Sequence, residues 1–139
     1  MTRINVIPTY ELSDQWLLAE YRELSRCIKQ NINTKNAPIS YCLGKGHMKW
    51  ARCHIIFLLA RYKEICNEMT YRGFNVNYPY KNLVNWTYKF VDHLLFHEYT
   101  PTASDLSINH NRLIDKYKLK PKFYKWTKRD KPKYITDIV

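Results

Sequence analysis

Apolar residues recur every three or four positions in four stretches of the chain, and this spacing predicts four α-helices. Either Ser13 or Asp14 can cap the first of them, since both side chains accept hydrogen bonds from first-turn N–H groups. No stretch alternates convincingly between apolar and polar residues, so the pattern predicts an all-α fold. The predicted helices run from about Asp14 to Gln30, His47 to Arg72, Leu83 to His97 and Ser104 to Lys118.

The apolar positions also predict which side of each helix faces the core. The second helix has the broadest apolar side and should be the central one, ending at Gly73. Beyond Pro121 the chain should be extended or rich in turns. The residues predicted to face inward are Leu17, Tyr21, Leu24 and Ile28 on the first helix, and Leu106, Leu113 and Tyr117 on the last. The apolar side of the second helix consists of Ala51, Ile55, Leu58, Leu59, Tyr62, Ile65, Cys66 and Met69, and the third helix should bring Leu83, Trp86, Phe90 and Leu94 together.

The size and composition predict one compact domain over residues 1–139. A chain of 139 residues can bury one modest core, and its 15% aromatic content argues against disorder. The longest apolar run, Ile55 to Ala60, lies between Arg52 and Arg61 and is too short to span a bilayer. Polar residues interrupt the N-terminus, so no signal peptide is expected and the predicted location is the cytoplasm.

The four cysteines lie far apart without a C-x-x-C pair, which favours free thiols. A metal site built from Cys42, His47, Cys53 and His54 is conceivable, but these residues lack zinc-finger spacing. We therefore predict no metal and no other cofactor. Among the five histidines, His47 is of most interest, because it follows Gly44-Lys45-Gly46 at a predicted helix start.

The net charge of +11 is concentrated at the C-terminal end, where aromatic residues alternate with lysines. Positive charges with stacking surfaces are typical of nucleic-acid binding. A solvated basic tail without function is the simpler alternative. Arg112 and Lys116, four residues apart, form an outward basic pair on the last helix. The tail contributes Tyr124, Lys125 and Trp126 to the predicted DNA-binding residues.

The N-terminus carries the candidate chemistry. If Met1 is removed, Thr2 presents an α-amine, and roughly a tenth of such amines are neutral at pH 7, far more than for a lysine. A neutral amine can attack an electrophilic carbon and form an imine. Glu23 supplies a carboxylate for such a reaction. The polar side of the first helix also carries Gln15, Arg22 and Arg26, which with Arg3 would attract a polyanion, although an ordinary salt-bridge face is the alternative.

This N-terminal run closely resembles the pyrimidine-dimer DNA glycosylase/AP lyase family of T-even bacteriophage endonuclease V. The resemblance extends over most of the chain but in patches, and 75–97 hardly matches. Its first blocks are the specific ones. The matching stretches are Met1–Asn5, Glu11-Leu12, Asp14-Gln15, Ala19–Leu24 with Arg26, Leu43-Gly44, Gly46-His47, Arg72–Phe74, Tyr99 with Pro101, Arg112-Leu113, Lys116, Pro121 and Tyr124-Lys125.

The resemblance implies a compact all-α domain with an extended N-terminal arm that runs between helices, acting as a monomer on damaged double-stranded DNA. It implies base excision at UV-induced cyclobutane dimers followed by strand nicking. By resemblance, Thr2 provides the nucleophilic amine and Glu23 the essential carboxylate. The residues matching DNA contacts of the family are Arg3, Gln15, Arg22, Arg26, Arg112 and Lys116.

Two other functions remain open at this point. A non-catalytic basic DNA-binding module would keep the arginines and the tail but would not need the Thr2 amine. A glycosylase for oxidised or ring-opened purines would keep the chemistry and change the lesion. Trp16, where the family has a polar residue, and the aromatic run Phe123-Tyr124-Lys125-Trp126 are the departures that bear on lesion preference.

Overall fold

The computed structural model describes residues 4–138, which fold into α-helices joined by loops and two 3-10 turns. No β-strand occurs in this range, and the predicted all-α class is confirmed. None of the helices between residues 4 and 138 is long and apolar enough to cross a bilayer. The α-helices are α1 (Asp14–Lys29), α2 (His47–Arg52), α3 (Ile55–Arg72), α4 (Tyr80–Phe90), α5 (Ala103–Leu119) and α6 (Lys133–Thr136).

Helix α1 confirms the first predicted helix. Its N-cap is Ser13, whose hydroxyl oxygen accepts a hydrogen bond from the N–H of Trp16 at 3.1 Å and so satisfies a first-turn donor. The predicted outward side is exposed at Arg22 and Arg26. The inward side carries Leu17, Leu24 and Ile28, which are fully buried, and Tyr21, which is half-buried.

The second predicted helix is in fact two helices, because the chain turns at Cys53 and His54. The N–H groups of these two residues donate to carbonyl oxygens only three residues back. The Nδ1 of His54 also donates to the carbonyl of Trp50 at 2.7 Å, which takes this acceptor out of a regular helix. Helix α3 then begins, and the N–H of Phe57 in its first turn donates to the carbonyl of His97 at 3.3 Å.

Helix α3 is the central helix, as predicted, and it packs against both α1 and α4. It ends at Gly73, whose φ of 89° lies in the left-handed region that favours glycine. The N–H of Phe74 donates to the carbonyl of Met69 at 2.8 Å, which closes the helix end as expected for a glycine cap.

Helix α4 is shorter than the third predicted helix. Asp92 begins a separate 3-10 turn over His93–Leu95, because its carboxylate accepts a hydrogen bond from the N–H of Leu94 at 3.0 Å. Leu94 lies in this turn, so the predicted grouping with Leu83, Trp86 and Phe90 on one helix does not extend to it. Phe90 and Leu94 are 62% and 79% exposed, whereas Leu83 is fully buried.

Helix α5 begins one residue earlier than predicted, because Thr102 and Asp105 form a capping box. The Thr102 hydroxyl accepts from the N–H of Asp105 at 3.1 Å, and the Asp105 carboxylate accepts from the N–H of Thr102 at 3.0 Å. Of the predicted inward residues, Leu113 is buried, whereas Leu106 and Tyr117 are half-buried.

An N-terminal arm, residues 4–12, precedes α1 and is extended apart from one 3-10 turn. The fully buried Asn109 of α5 holds it in place. Its side-chain oxygen accepts from the N–H groups of Val6 and Ile7 at 2.7 and 3.2 Å. Its amide nitrogen donates to the side-chain oxygen of Asn5 at 2.8 Å. A buried arm needs such partners, because it has no neighbouring strand.

A buried ion pair joins the arm to two further helices. Arg61 of α3 contacts the Glu20 carboxylate of α1 through Nε at 2.7 Å and Nη2 at 3.0 Å, and its Nη1 donates to the carbonyl of Ile7. The side-chain amide of Asn5 donates to the same carboxylate at 2.8 Å. The arm is therefore fixed by α1, α3 and α5 together.

The basic tail, residues 120–138, folds back against the start of α1. The N–H of Asp14 donates to the carbonyl of Lys125 at 2.7 Å. The Asp14 carboxylate accepts from the backbone N–H and the hydroxyl of Thr127, at 3.0 and 2.6 Å. Part of the tail is thus integral to the domain, although most of its lysine side chains remain exposed.

A second charged cluster anchors the tail to α3. Glu68 accepts hydrogen bonds from Arg72 at 2.8 Å and from Arg129 of the tail at 2.8 and 2.9 Å. Arg72 also contacts Asp14 at 2.9 Å. Burial raises the pKa of Glu68, but the hydrogen bonds from Arg129 and Arg72 outweigh this effect, so the net pKa is lowered.

Candidate active site and nucleic-acid surface

Glu23 lies on α1 with its two carboxylate oxygens in different surroundings. Its Oε1 is 3.5 Å from Nη1 of Arg26, in an exposed ion pair of the kind that contributes little to stability. Its Oε2 is buried and has no hydrogen-bond partner among residues 4–138. Buried polar atoms are nearly always paired, so a buried carboxylate oxygen without a partner among residues 4–138 calls for an explanation. The alternative of an ordinary salt-bridge face explains the contact of Oε1 with Arg26 but not the burial of Oε2.

A groove of about 600 Å³ lies between α1, α5 and the start of the tail, and we refer to it as the α1–α5 groove. It brings together four of the residues predicted to contact DNA: Gln15 and Arg22 from α1, Lys116 from α5, and Tyr124 from the tail. Its lining combines cations with apolar rings, which suits a sugar-phosphate chain with attached bases. The other residues that line it are Trp16, Leu18, Leu119, Lys120 and Phe123.

Arg112 does not line this groove but stands one helical turn before Lys116. Burial lowers the pKa of Lys116, and the positive charge of Arg112 lowers it further. No carboxylate in the described part of the chain forms an ion pair with either residue. Two neighbouring cations without an acidic partner favour the approach of a polyanion.

Gln15 and Tyr124 connect α1 to the tail within the groove. The side-chain oxygen of Gln15 accepts a hydrogen bond from the N–H of Lys125 at 3.1 Å, which leaves its NH₂ group as a donor. The ring of Tyr124 lies 4.5 Å from that of Trp16, between centroids. Trp16 therefore supports the tail aromatics rather than standing alone on the helix.

Trp126 is largely buried, but part of it lines a groove with Lys122 and Lys125, so its predicted contact with DNA stays a prediction. Only 9% of it is exposed. Its indole N–H donates to the carbonyl of Glu11 at 3.1 Å, and its ring meets Trp16 edge-on at 6.0 Å. The hydrogen bond to Glu11 attaches the tail to the arm. The neighbouring Lys125 is exposed.

Two more grooves continue from the first along the tail. One of about 530 Å³ includes Tyr124, which also lines the α1–α5 groove, together with Lys122 and Lys125. The next, of about 640 Å³, shares Arg129 and Lys131 with the second. Because neighbouring grooves share residues, they form one band of positive charge across this side of the domain.

Both backbone groups of Ile4, the first described residue, are held by side chains. Its N–H donates to Nε2 of His47 at 3.0 Å, and its carbonyl accepts from the hydroxyl of Tyr41 at 3.0 Å. The Nδ1 of His47 is 2.7 Å from the carbonyl of Cys42. Sequence reasoning singled out His47 through the glycines before it, whereas nothing in the pattern pointed to Tyr41.

Two predicted site residues, Thr2 and Arg3, lie outside the described residues. Sequence reasoning also missed several residues that shape the site. Asn5 and Glu20 sit in the specific matching blocks and could have been noticed there, but their contact with each other was not foreseeable. No sequence signal distinguished Asn109 or the groove residue Leu119.

The possible metal site finds no support in the described residues. The Nδ1 atoms of His47 and His54 face backbone carbonyl oxygens, at 2.7 Å in both cases. Within residues 4–138, no three His, Cys, Asp or Glu side chains are grouped so that they could hold a metal ion.

A family model described as pyrimidine dimer DNA glycosylase matches residues 1–82. This match covers more than half of the 139 residues, and the chain belongs to this family. DNA is accordingly its substrate, and its general role is that of a DNA-repair glycosylase. The matched range includes Gln15, Arg22, Glu23 and Arg26, and it stops before α5 and the tail.

Proposed function

We propose that this protein is a bifunctional DNA glycosylase and AP lyase that acts on UV-induced cyclobutane pyrimidine dimers in duplex DNA. It would act as a monomer in the cytosol, without a metal or organic cofactor. The observation that carries the proposal is Oε2 of Glu23, which is buried and has no hydrogen-bond partner among residues 4–138, in a chain of this family. A carboxylate oxygen without such a partner is available to a reacting sugar.

The nucleophile in this proposal is the α-amine of Thr2, exposed by removal of Met1. The length of chain before Asn5 allows this amine to reach Glu23. Asn5 is bonded to Glu20, and Glu23 lies three residues further along α1, about 4.5 Å along the helix axis. The three residues from Asn5 back to Thr2 can span up to about 10 Å, so the chain is long enough to bring the amine to the carboxylate.

The reaction begins when the neutral amine attacks C1′ of the damaged nucleotide. The new C1′–N bond forms as the glycosidic bond breaks, and the departing base takes up a proton. Opening of the C1′–O4′ bond gives an imine, which acidifies the C2′ protons. Loss of one C2′ proton then expels the 3′ phosphate and cleaves the strand. Glu23 stabilises positive charge at the sugar and moves the protons for ring opening and elimination.

The DNA would lie along the α1–α5 groove and continue over the tail. Arg22, Lys116 and Arg112 would contact phosphates, as would Arg3 and Arg26 near the amine. The NH₂ group of Gln15 would donate to an acceptor near the lesion. A damaged step is poorly stacked, so opening it costs less than opening an intact step by a few kcal/mol, which favours the lesion over normal sequence.

Borohydride trapping tests this proposal. Met-processed protein is incubated with irradiated duplex and with duplex containing an abasic site, and borohydride is added to reduce any imine to a stable adduct. We expect a covalent adduct with both substrates and none with undamaged duplex. Protein with an N-terminal extension is the matched control, because it keeps the residues of the grooves but turns the Thr2 amine into a peptide nitrogen. Absence of an adduct from processed protein would exclude the imine mechanism.

The same assay with a panel of lesions tests the substrate. Oligonucleotides carrying oxidised or ring-opened purines are compared with cyclobutane dimers under single-turnover conditions. We expect base release to be fastest from the dimers. Preference for a purine lesion would keep the mechanism and overturn the substrate assignment.

A further inference from the structure

The hydrogen bonds around Ile4 determine which atoms of His47 and Tyr41 carry protons. A carbonyl oxygen can only accept, so Nδ1 of His47 carries the proton that it shares with Cys42 at 2.7 Å. Nε2 is then the acceptor for the N–H of Ile4 at 3.0 Å, and His47 is neutral. Tyr41 must keep its proton to donate to the Ile4 carbonyl, and burial raises its pKa strongly.

The loop from 38 to 47 carries both Tyr41 and His47, and we refer to it as the anchor loop. Further contacts hold this loop in place. Gly46, just before His47, has a φ of 94°, and a Cβ there would lie 2.9 Å from Cγ of Pro38. The N–H of Tyr41 donates to the hydroxyl of Tyr99 at 2.9 Å, and that hydroxyl donates to Asp105 at 2.5 Å. The loop from 38 to 47 is therefore tied to the N-terminus of α5.

The arm is held on both sides of the Ile4–Asn5 peptide. The loop holds Ile4 through two hydrogen bonds, and α1 holds Asn5 through Glu20 at 2.8 Å. The chain enters the described structure at Ile4, only two residues from the proposed nucleophile. Any rotation of the arm at Ile4 would redirect everything that precedes it.

We propose that His47 and Tyr41 are positioning residues that set the direction in which the arm presents the Thr2 amine to the DNA sugar. This inference rests on the proposed function. Neither residue lines the grooves proposed to bind DNA. Of the residues proposed to contact phosphates, only Arg3 precedes Ile4. Releasing the arm should therefore change the affinity for DNA far less than the rate of imine formation, since that rate depends on the alignment of the reacting atoms.

Two substitutions of His47 separate its two hydrogen bonds. In His47→Gln, the side-chain oxygen can take the place of Nε2 and accept from the N–H of Ile4. In His47→Asn, the side-chain nitrogen can take the place of Nδ1 and donate to the Cys42 carbonyl, but nothing reaches Ile4. The two variants are both neutral amides of similar polarity. His93→Asn, at an exposed histidine on the 3-10 turn, is the control for the substitution itself.

The experiment measures the single-turnover rate of borohydride trapping on abasic duplex and the Kd for the same duplex. We expect His47→Asn to lower the trapping rate by about tenfold to 100-fold with Kd within about twofold of the parent. His47→Gln should recover most of the rate, and His93→Asn should match the parent protein. Tyr41→Phe, which loses only the donor to Ile4, should lower the rate in the same way.

Hydrogen exchange at the Ile4 amide gives a readout that does not depend on activity. It should be slow in the parent and in His47→Gln and fast in His47→Asn. Equal rates for the Asn and Gln variants, or a rate in His47→Asn equal to that of the parent, would overturn the positioning role. If the parent protein itself formed no adduct, the proposed function would fail instead. The exchange result would still show whether His47 holds the Ile4 amide.

Discussion

The backbone N–H of Asp14, at the start of α1, donates a 2.7 Å hydrogen bond to the carbonyl of Lys125 in the tail. Residues 111 positions apart in the sequence are thereby joined beside Gln15 and Tyr124. The two walls of the α1–α5 groove are consequently parts of one body. A basic tail that sequence reasoning could assign to solvent instead fixes the geometry of the surface proposed to bind DNA.

The cluster at Glu68 makes the attachment of the tail depend on pH. The native pKa of Glu68 is lowered, so its contribution to stability is complete above its unfolded-state pKa of about 4.3 and is lost as the pH falls through the lower native value. We expect Glu68→Gln to destabilise the protein by about 3 kcal/mol at pH 7, because it removes the carboxylate partner of Arg129 and one of the two carboxylates that contact the buried Arg72. Its stability should also vary less between pH 5 and pH 3. Urea denaturation at several pH values measures both.

Glu64→Gln, at an exposed glutamate on the same helix, is the matched control. It should change stability by less than about 0.5 kcal/mol. A Glu68→Gln variant with the stability and pH profile of the parent would show that this cluster does not hold the tail.

Replacement of Glu23 separates DNA binding from chemistry. We expect Glu23→Gln to lower strand cleavage by at least about 100-fold, because a neutral amide stabilises positive charge at the sugar poorly and transfers protons poorly. Its thermal stability should equal or exceed that of the parent, since Oε2 has no partner to lose within residues 4–138. Cleavage rates and melting temperatures check the two statements. Retained cleavage would mean that Glu23 is misassigned.

The cations of the α1–α5 groove should govern the salt dependence of DNA binding. Each phosphate contact removed should reduce the slope of log K against log salt by about 0.9. We expect this change for Arg22→Gln and for Lys116→Gln on undamaged duplex. Lys81→Gln, at an exposed lysine of α4 that lines none of the three grooves proposed to bind DNA, is the control. An unchanged slope in both groove variants would place the DNA elsewhere.

Lys116 adds a pH signature to this binding. Burial and Arg112 lower its pKa, so it loses its charge at a lower pH than a solvent-exposed lysine does. DNA affinity of the parent should therefore begin to fall as the pH rises, before exposed lysines titrate. Lys116→Arg should abolish the early fall, because arginine stays charged. Binding titrations at constant salt measure the difference.

Gly44 and Gly46, in the loop from 38 to 47 that holds Ile4, allow a matched pair of substitutions. Both have positive φ, but a Cβ at Gly44 meets nothing within 4 Å, whereas one at Gly46 meets Pro38. We expect Gly44→Ala to cost about 1 kcal/mol for its backbone conformation alone. Gly46→Ala should cost at least about 1 kcal/mol more and should also slow imine trapping, because it displaces His47. Equal effects at both positions would argue against a rigid loop.

The all-α class and helix α1 followed from local signals, because Ser13 and the spacing of Leu17, Leu24 and Ile28 are read within one segment of the chain. The break at Cys53 and His54 did not. The apolar period continues through it, and the competing acceptor for the Trp50 carbonyl is a histidine side chain. The third predicted helix was too long at its C-terminal end for a similar reason, since Asp92 caps a new turn within an apolar run.

In the candidate site, too, local spacing predicted some groupings and tertiary contacts decided the others. Gln15, Arg22, Glu23 and Arg26 lie on one helix, so their spacing was enough to group them. The pairing of Asn5 with Glu20 depends on tertiary structure and could not be read from spacing. Trp126 shows what composition alone cannot reveal, because an aromatic residue among lysines is typical of a stacking surface, whereas the fold buries most of this one.

Peptide mapping of the borohydride-trapped adduct tests the central claim most directly. Protein trapped on abasic duplex is digested with protease and nuclease, and mass spectrometry locates the sugar remnant. We predict that the remnant is attached to the α-amine of Thr2 in a peptide lacking Met1. Attachment to a lysine, or full activity in protein that retains Met1, would contradict the account.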